Sequence, residues 1–304
     1  MTTQPDGASA PSHCYRRSLM RTITTVAEMT AARDALTGSV GLVPTMGFLH
    51  EGHLSLVRRA RADNDYVIVT IFVNPTQFGT GEDLDRYPRD EERDLALLEK
   101  EGADIVFIPT TDEIYRPGFD DWVEVAGPIA ERLEGAHRPG HFRGVTTVVA
   151  RLLHAARPHV AIFGEKDYQQ LAVIRRMVRD LCFGVEILGG PIVREPDGLA
   201  MSSRNEFLSP RARQQAPALN AALHEARALV RAGVRDAAAV CAIARQRIEK
   251  EPLAEIDYVE LVDAENLEPL REVGERSLLA LAVRFEGTRL IDITLLDGAR
   301  REVD

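Results

Sequence analysis

The chain has 304 residues, of which 37 are Lys or Arg and 47 are Asp or Glu, so its formal net charge is −10. Hydrophobic residues make up 45% and charged residues 28% of the chain, proportions that exclude wholesale disorder. The acidic balance argues against a protein that grips a nucleic-acid backbone, and no apolar run approaches the roughly 18 residues of a membrane span. At roughly 100–200 residues per domain, the length predicts two domains.

Residues 1–19 lack the apolar core of a secretory signal, and we expect them to form a disordered leader. Regular patterning begins at Met20, which is a second candidate for the translation start. Cys14, Cys182 and Cys241 are odd in number and far apart, so they fit neither a disulfide framework nor a zinc motif. We therefore expect a protein of a reducing, cytoplasmic compartment.

Between residues 40 and 181, short apolar runs alternate with amphipathic stretches of helical length. The predicted strands are 40–44, 66–73, 104–108 and 160–163. One predicted helix passes through residues 54–60. Three others are predicted at residues 90–100, 145–156 and 168–181. Strands that alternate with helices indicate βαβ units, and therefore a parallel sheet covered by helices.

The pattern changes after residue 192. Two predicted helices, 210–231 and 236–250, are followed by three strands without intervening helices, 256–262, 277–285 and 289–296. This order is typical of an α+β unit. We therefore predict an α/β protein with a doubly wound parallel sheet over residues 20–192 and a smaller α+β domain over residues 193–304.

The segment Thr-Met-Gly-Phe-Leu-His-Glu-Gly-His, residues 45–53, lies between the first predicted strand of this pattern and its helix. Open parallel sheets bind ligands beyond the carboxyl ends of their strands, and a helix N-terminus presents free N–H groups to an anion. His50 and His53 are three residues apart on one helix face, so both imidazoles can donate hydrogen bonds to phosphate oxygens. Turn glycines with helix-capping histidines are an alternative. A metal site of the His-Glu-x-x-His type needs a four-residue spacing, which is absent here.

Three further segments carry polar side chains at the ends of predicted elements. In residues 163–170, Lys166 follows a strand and is either a cation for phosphates or an ordinary solvated lysine. In residues 201–205, two hydroxyls and Arg204 suit a polyphosphate, since arginine grips phosphate bidentately, or they form a polar interdomain turn. The Asn-Pro-Thr-Gln loop at residues 74–77 either presents amides to a small polar substrate or is merely a turn.

Taken together, the histidine turn and the later Met-Ser-Ser-Arg segment resemble the adenylyl-transferring Rossmann-like superfamily. Four longer strings are similar to those of the pantoate–β-alanine ligase family, and they occur in the same order: 44–53, 72–78, 164–167 and 201–204. The resemblance covers roughly residue 20 to the end of the chain. It implies a Rossmann-like first domain and a C-terminal domain that acts as a lid.

The resemblance also implies an ATP-dependent reaction. The pantoate carboxylate attacks the α-phosphate of Mg-ATP, which gives pantoyl adenylate and pyrophosphate. The amine of β-alanine then attacks the acyl carbon, which gives pantothenate and AMP. The implied cofactor is ATP with Mg²⁺, as a substrate, with no tightly bound organic cofactor; the implied assembly is a homodimer with no nucleic-acid or membrane partner.

Carried over position by position, the resemblance implies that His53, His50 and Lys166 are catalytic because they stabilise charge on the transferring phosphate. Asp94 is implied to contact magnesium. The residues implied to bind ATP are Met46, Gly47, Phe48, Leu49, His50, Glu51, Gly52, His53, Gly164, Glu165, Lys166, Asp167, Val193, Met201, Ser202, Ser203 and Arg204. Those implied to bind pantoate are Gln77 and Gln170, and those implied to bind β-alanine are Gln77 and Asn74.

Two features depart from the family pattern. Position 48 holds Phe where a small or polar side chain is expected, and residues 112–143 match poorly except for Arg-Pro-Gly-His-Phe at 138–142. Because a mixed anhydride hydrolyses readily, the site must exclude water, so we expect the second domain or residues 80–89 to close as a lid.

Three other functions stay open from the sequence. A nucleotidyltransferase that releases a dinucleotide would keep the histidine turn without needing residues 74–77. A tRNA synthetase fits less well, because the chain is acidic and has no anticodon-binding extension. A non-catalytic nucleotide sensor would be indicated by loss of His53 or Lys166, and both are present.

Overall fold

The computed structural model describes residues 19–79 and 81–297, so residues 1–18 of the predicted leader, with Cys14, lie outside the described residues. Within these two ranges, no helix combines the length and the apolar character needed to cross a membrane. The described chain folds around two β-sheets, one with six strands and one with three.

The first sheet is parallel and has the strand order β1-β4-β3-β2-β5-β6. Its strands are β1 (Arg21–Ile23), β2 (Val40–Thr45), β3 (Tyr66–Ile71), β4 (Ile105–Phe107), β5 (Val160–Gly164) and β6 (Glu186–Gly190). The helices in this part of the chain are α1 (Val26–Asp34), α2 (Glu51–Asp63), α3 (Glu91–Glu101), α4 (Thr111–Ile114), α5 (Pro128–Glu131), α6 (Glu134–His137), α7 (His141–Ala156) and α8 (Tyr168–Asp180). The predicted parallel sheet flanked by helices is confirmed.

Alternating side chains of the central strands explain why helices cover both faces of this sheet. Leu42 and Ile68 pack in the cluster that contains α1 and α7. Val43 and Val67 pack in the opposite cluster, with α2 and α3. All four side chains are fully buried. A strand buried on both faces has a nearly continuous apolar sequence, which is why the pattern predicted β2 and β3.

The direction of strand addition reverses at β2, which pairs with β3 on one side and with β5 on the other. Open α/β sheets bind ligands at such a switch point, beyond the carboxyl ends of the strands. β2 ends at Thr45 and β5 ends at Gly164, so the segments that follow these two strands meet there.

The second sheet is antiparallel, with the order β7-β8-β9. Its strands are β7 (Ala254–Asp263), β8 (Ser277–Phe285) and β9 (Thr288–Leu296), and they follow the helices α9 (Pro210–Gln215), α10 (Ala218–Arg231) and α11 (Ala237–Ile248). The prediction of one helix over residues 210–231 is wrong. Pro217 divides it, because proline has no N–H to donate to the preceding turn, and Pro217 is instead the N-cap of α10.

The sequence pattern missed β1, α1 and β6, as well as the short helices α4, α5 and α6. β1 and β6 are the two edges of the parallel sheet. In β1 only Ile23 of three residues is buried, which is too little to produce a recognisable period.

A shared apolar cluster joins the two halves of the chain. Phe142, Tyr168 and Val173 pack there with Tyr258 of β7 and Leu278 of β8. This contact holds the antiparallel sheet beside the start of α8, next to the segment that follows β5.

Candidate active site

A cavity of about 210 Å³ opens at the switch point of the parallel sheet. The predicted site residues that line it are Met46, His50, Gly52, His53, Asn74, Gln77, Gly164, Lys166, Asp167, Gln170, Val193, Met201, Ser202, Ser203 and Arg204. The predicted site residues that lie outside this lining are Gly47, Phe48, Leu49, Glu51, Asp94 and Glu165. The fold therefore brings four motifs that are distant in sequence to one cavity.

His50 and His53 lie at the start of α2, and backbone N–H groups of that turn orient both rings. The His50 backbone N–H donates to Nδ1 of His53 (3.3 Å), and the Gly52 backbone N–H donates to Nδ1 of His50 (3.2 Å). Because each Nδ1 accepts a hydrogen bond, the proton of each neutral ring sits on Nε2, which is left to donate to a ligand. The histidines therefore cap the helix, and the same contacts leave each Nε2–H group available as a hydrogen-bond donor.

Both imidazole rings are neutral at neutral pH. Burial, with the Lys166 cation as the second cause, lowers the pKa of His50 from 6.5 to about 4. Burial and the neighbouring His50 ring lower the pKa of His53 to about 3. In the free protein the two rings thus offer N–H groups rather than positive charge to a phosphate.

The depressed pKa values predict that the protein loses stability as the pH falls below about 6.5. His50, His53 and His141, the last with its pKa lowered to about 4 by burial and by Arg138, stay neutral when folded. The unfolded chain binds a proton at each near pH 6.5, so each costs about 1 kcal/mol of unfolding free energy between pH 6.5 and 5.5. Urea unfolding across this range measures the slope. The slope should be shallower in His53→Gln, and an equal slope would contradict the assignment.

Asp94 lies in α3, behind the turn that joins β2 to α2. Its carboxylate oxygens accept hydrogen bonds from the backbone N–H groups of Phe48 (2.6 Å) and Leu49 (2.7 Å), and the residue is only 1% exposed. This geometry does not favour the predicted contact to magnesium, because Asp94 is buried and lies outside the residues that line the cavity. The Phe48 ring also lies outside the lining of the cavity, 5.2 Å from the Arg93 guanidinium, so this departure from the family pattern does not shape the cavity.

Two cations of the site are paired with carboxylates. Lys166 Nζ lies 3.2 Å from the Asp167 carboxylate, and the Arg204 guanidinium donates twice to Asp83, at 2.7 and 2.9 Å. Asp83 belongs to the segment predicted as a lid. Burial acts to raise the pKa of Asp83, but the hydrogen bonds from Arg204 outweigh it and hold the pKa below its usual value. The Asp83–Arg204 pair is therefore ionic at neutral pH.

Asn74 fixes the position of Gln77. Its Nδ2 donates to Oε1 of Gln77 (3.0 Å) and to the Gly144 carbonyl (3.2 Å), while its Oδ1 accepts from the Tyr115 hydroxyl (2.7 Å). At Gly144, an added Cβ would lie only 2.3 Å from the Thr76 carbonyl oxygen. The close approach of α7 therefore requires glycine and holds the loop with Gln77 facing the cavity.

Arg138, His141 and Tyr87 also line the cavity, and none of them is among the site residues predicted from the sequence. Arg138 donates twice to Glu82, at 2.9 and 2.7 Å, and once to Nε2 of His141 at 3.2 Å. His141 Nδ1–H donates to the Gln77 carbonyl at 2.8 Å. The family-like string at residues 138–142 was the signal that could have identified the first two residues.

A larger cavity of about 390 Å³ adjoins the first and lies between the antiparallel sheet and the start of α8. The residues that line both cavities are Arg138, His141, Lys166, Asp167, Gln170, Ser202 and Arg204. The charged side chains of the site therefore stand where the two cavities meet.

This arrangement has the hydrogen-bond donors and cations that a phosphate ligand requires. Two neutral imidazole donors at a helix N-terminus, with Lys166 and Arg204 nearby, can stabilise charge that develops on a phosphate during group transfer. The amides beside them suit a small polar substrate. The fold and the site define a nucleotide-binding α/β enzyme.

Comparison with known proteins narrows this class to one family. Residues 18–295 match the family model for pantoate-beta-alanine ligase. The pantothenate synthetase of Roseiflexus castenholzii is 60% identical over 279 residues, which cover 92% of this chain and 100% of that protein. The crystal structure of pantothenate synthetase from Thermus thermophilus matches with a TM-score of 0.87 at 51% identity, covering 90% of this chain and 99% of that one.

The crystal structure of pantoate-beta-alanine ligase from Francisella tularensis, complexed with beta-gamma ATP and beta-alanine, also matches. Its TM-score is 0.76 at 33% identity, and the match covers 91% of this chain and 97% of that one. The chain belongs to the pantoate–β-alanine ligase family. It is a ligase of pantothenate biosynthesis, and the reaction of its family is the ATP-dependent condensation of pantoate with β-alanine.

Proposed function

We propose that the chain makes pantothenate in two steps, through a bound pantoyl adenylate. A pantoate carboxylate oxygen attacks the α-phosphorus of ATP, the bond from that phosphorus to the bridging oxygen of the β-phosphate breaks, and pyrophosphate leaves. The amine of β-alanine then attacks the acyl carbon, the bond to the AMP oxygen breaks, and the nitrogen loses a proton. The convergence of His50, His53 and Lys166 with Gln77 and Gln170 on one cavity carries this proposal.

In this mechanism the phosphates of ATP bind against the N-terminus of α2. The Nε2–H groups of His50 and His53 donate to oxygens of the α-phosphate, and Lys166 neutralises charge at the pentacoordinate centre. The serines and the arginine of residues 202–204 close over the β- and γ-phosphates, where arginine can grip two oxygens. All of these groups line the same cavity, which supports one shared phosphate site.

The two acyl-transfer partners bind at the amide side of the cavity. Gln77 and Gln170 hydrogen-bond the hydroxyls and carboxylate of pantoate, and Gln77 with Asn74 also meets β-alanine. Because the Asn74 amide already donates to Gln77 and Gly144, its main contribution is to hold Gln77 in place. The complex of the Francisella enzyme with beta-gamma ATP and beta-alanine supports a site that admits both kinds of ligand.

Magnesium enters this mechanism bound to ATP. Among residues 19–79 and 81–297, no three His, Cys, Asp or Glu side chains are grouped so that they could hold a metal ion. Asp94 is buried outside the lining of the cavity, and its oxygens accept two backbone hydrogen bonds, so we do not propose Asp94 as a ligand. Magnesium prefers phosphate oxygens and water over an all-protein cage, and it would lower the negative charge that pantoate must approach.

We further propose that residues 20–192 form the nucleotide- and substrate-binding domain, and that residues 193–304 and the segment 81–89 close over it. Glu82 and Asp83 of that segment bind Arg138 and Arg204, two cations at the junction of the cavities. The phosphates of ATP compete for the same guanidinium groups. Nucleotide binding therefore releases these carboxylates and lets the segment rearrange to exclude water.

This competition predicts that Asp83→Asn binds ATP more tightly than the wild-type chain. Without the carboxylate, Arg204 no longer has to give up an ion pair, so the KM for ATP should fall about 2- to 5-fold, the range for a partly exposed ion pair. Steady-state kinetics with varied ATP measures the change. Asp85→Asn, an exposed position two residues away, is the matched control and should leave the KM unchanged. An unchanged or raised KM in Asp83→Asn would argue against the competition.

We also propose that the protein works as a cytoplasmic homodimer on small molecules, without a nucleic-acid or membrane partner. The net charge of −10 supports the lack of a nucleic-acid partner. The free thiols of Cys182 and Cys241 fit a reducing compartment.

Product analysis with Mg-ATP, pantoate and β-alanine, omitting each in turn, tests the proposed function. We expect AMP and pyrophosphate in equal amounts with pantothenate, and pantothenate only when all three substrates are present. ADP and phosphate would mean an acyl-phosphate route and would remove the proposed role of the histidine turn. ATP binding without turnover would favour the nucleotidyltransferase or the nucleotide sensor.

A further inference from the structure

The turn that precedes the histidines has an unusual backbone. Gly47 and Phe48 have φ angles of +81° and +49°, so two consecutive residues adopt the left-handed region. Glycine reaches this region freely, but a bulky side chain such as that of Phe48 is strained there. Such strain persists only where surrounding contacts impose it.

The contacts that impose this turn come from the first half of α3. The Asp94 carboxylate receives the backbone N–H groups of Phe48 and Leu49, at 2.6 and 2.7 Å. Next to it, Arg93 Nη2 donates to the Leu49 carbonyl at 3.0 Å, and the guanidinium lies 5.2 Å from the Phe48 ring centre. The helix thus holds the N–H groups and a carbonyl of the strained segment.

The same turn determines where the histidines stand. His50 follows Leu49 directly, and its backbone N–H is the group that donates to Nδ1 of His53. Ser203 Oγ donates to the Phe48 carbonyl at 3.3 Å, so residues 202–204, which are proposed to bind phosphate, also contact the turn. A shift of the turn would therefore move the His50 N–H and weaken the contact that keeps the His53 proton on Nε2.

We propose that Asp94 is a positioning residue for this reaction, one that acts through the turn at residues 47–49 and not through magnesium. Its two oxygens fix two adjacent N–H groups, so that His50 and His53 present their Nε2–H groups to the α-phosphate. An ionised carboxylate suits this task because it offers acceptors on both oxygens. The expected effect on catalysis rests on the proposed function. The expected effect on the His53 tautomer concerns the free protein and does not.

Asp94→Asn tests the proposal, because one acceptor oxygen becomes an NH₂ group that faces a backbone N–H. We expect kcat to fall at least about 10-fold with little change in the KM for pantoate. In the free protein, ¹⁵N NMR should show the His53 ring shifting from the Nε2–H tautomer toward a mixture, with the resonances assigned from His50→Gln and His53→Gln. Asp90→Ala is the matched control, since it removes the N-cap hydrogen bond of α3 without touching the turn.

The outcomes separate the possibilities. A folded Asp94→Asn with unchanged kcat, or with lowered kcat but an unchanged His53 tautomer, would overturn the proposal. An equal loss of kcat in Asp90→Ala would also overturn it, because weakening the helix alone would then suffice. The His53 tautomer is measured without turnover. It therefore tests whether Asp94 positions the turn even if product analysis rejects the adenylate route.

A second variant covers a failure of Asp94→Asn to fold. Phe48→Gly removes the strain at φ +49°, so the turn needs less support. The double variant Asp94→Asn/Phe48→Gly should then fold, and Asp94→Asn should change the tautomer less in this background than in the wild-type one. Failure of the double variant to fold would mean that Asp94 stabilises more than the turn, and would overturn the proposal.

Discussion

The Lys166→Ala variant is expected to form pantoyl adenylate about 100- to 1,000-fold more slowly than the wild-type chain, the loss usual for one preorganised charge donor. Lys166 stands at the junction of the two cavities, 3.2 Å from the Asp167 carboxylate. In the proposed mechanism, its removal takes a cation from the transferring phosphate and leaves Asp167 as an unneutralised negative charge beside it. Pyrophosphate release in a single turnover with Mg-ATP and pantoate, without β-alanine, measures this step directly.

The fold of Lys166→Ala should remain intact. Loss of one half-buried ion pair costs about 1 kcal/mol or less. Lys100→Ala, at the exposed end of α3, is the matched control and should keep full activity. Near-normal pyrophosphate release in folded Lys166→Ala would remove Lys166 from the mechanism.

The second large effect is expected at His53. The His53→Ala variant should lose about 100- to 1,000-fold in kcat, because it loses a donor aimed at developing phosphate charge. Comparing different replacements of His53 tests which ring nitrogen is the donor, which the loss of activity in His53→Ala does not. The amide nitrogen of Gln can reach the place of Nε2, whereas the amide of Asn lies nearer to Nδ1.

We therefore expect His53→Gln to retain more activity than His53→Asn, which should resemble His53→Ala. Initial rates of pantothenate formation at saturating ATP measure the order. His224→Ala, an exposed position on α10, controls for the loss of any imidazole. If Asn rescues better than Gln, the donor is not Nε2–H and the tautomer derived from the backbone contacts is wrong.

The parallel sheet and the four motifs could be predicted because their signals are local. β3 is a nearly unbroken apolar run, and such a run in a chain of alternating helices is typical of a strand covered on both faces. The segment with His50 and His53 follows β2 directly in sequence. Its place beyond the carboxyl ends of the strands, where ligands bind, therefore follows from the strand prediction alone.

The contacts that tune the site could not be predicted in this way. Asp83 and Arg204 are 121 residues apart, and Glu82 and Arg138 are 56 residues apart, so only the tertiary fold selects these partners. Asp94 is the clearest case. An acidic residue in the first turns of an amphipathic helix has the sequence pattern of a solvent-facing position, yet the packing of α3 against the turn buries it.

The proposed function requires that the pantoate carboxylate attacks the α-phosphate of ATP. Pantoate labelled with ¹⁸O in its carboxylate tests this most directly, with mass spectrometry of the AMP formed in the complete reaction. We expect one labelled oxygen to pass from each pantoate to the phosphate of AMP. AMP without label, or label found in inorganic phosphate, would contradict the adenylate route and the roles derived for His50, His53 and Lys166.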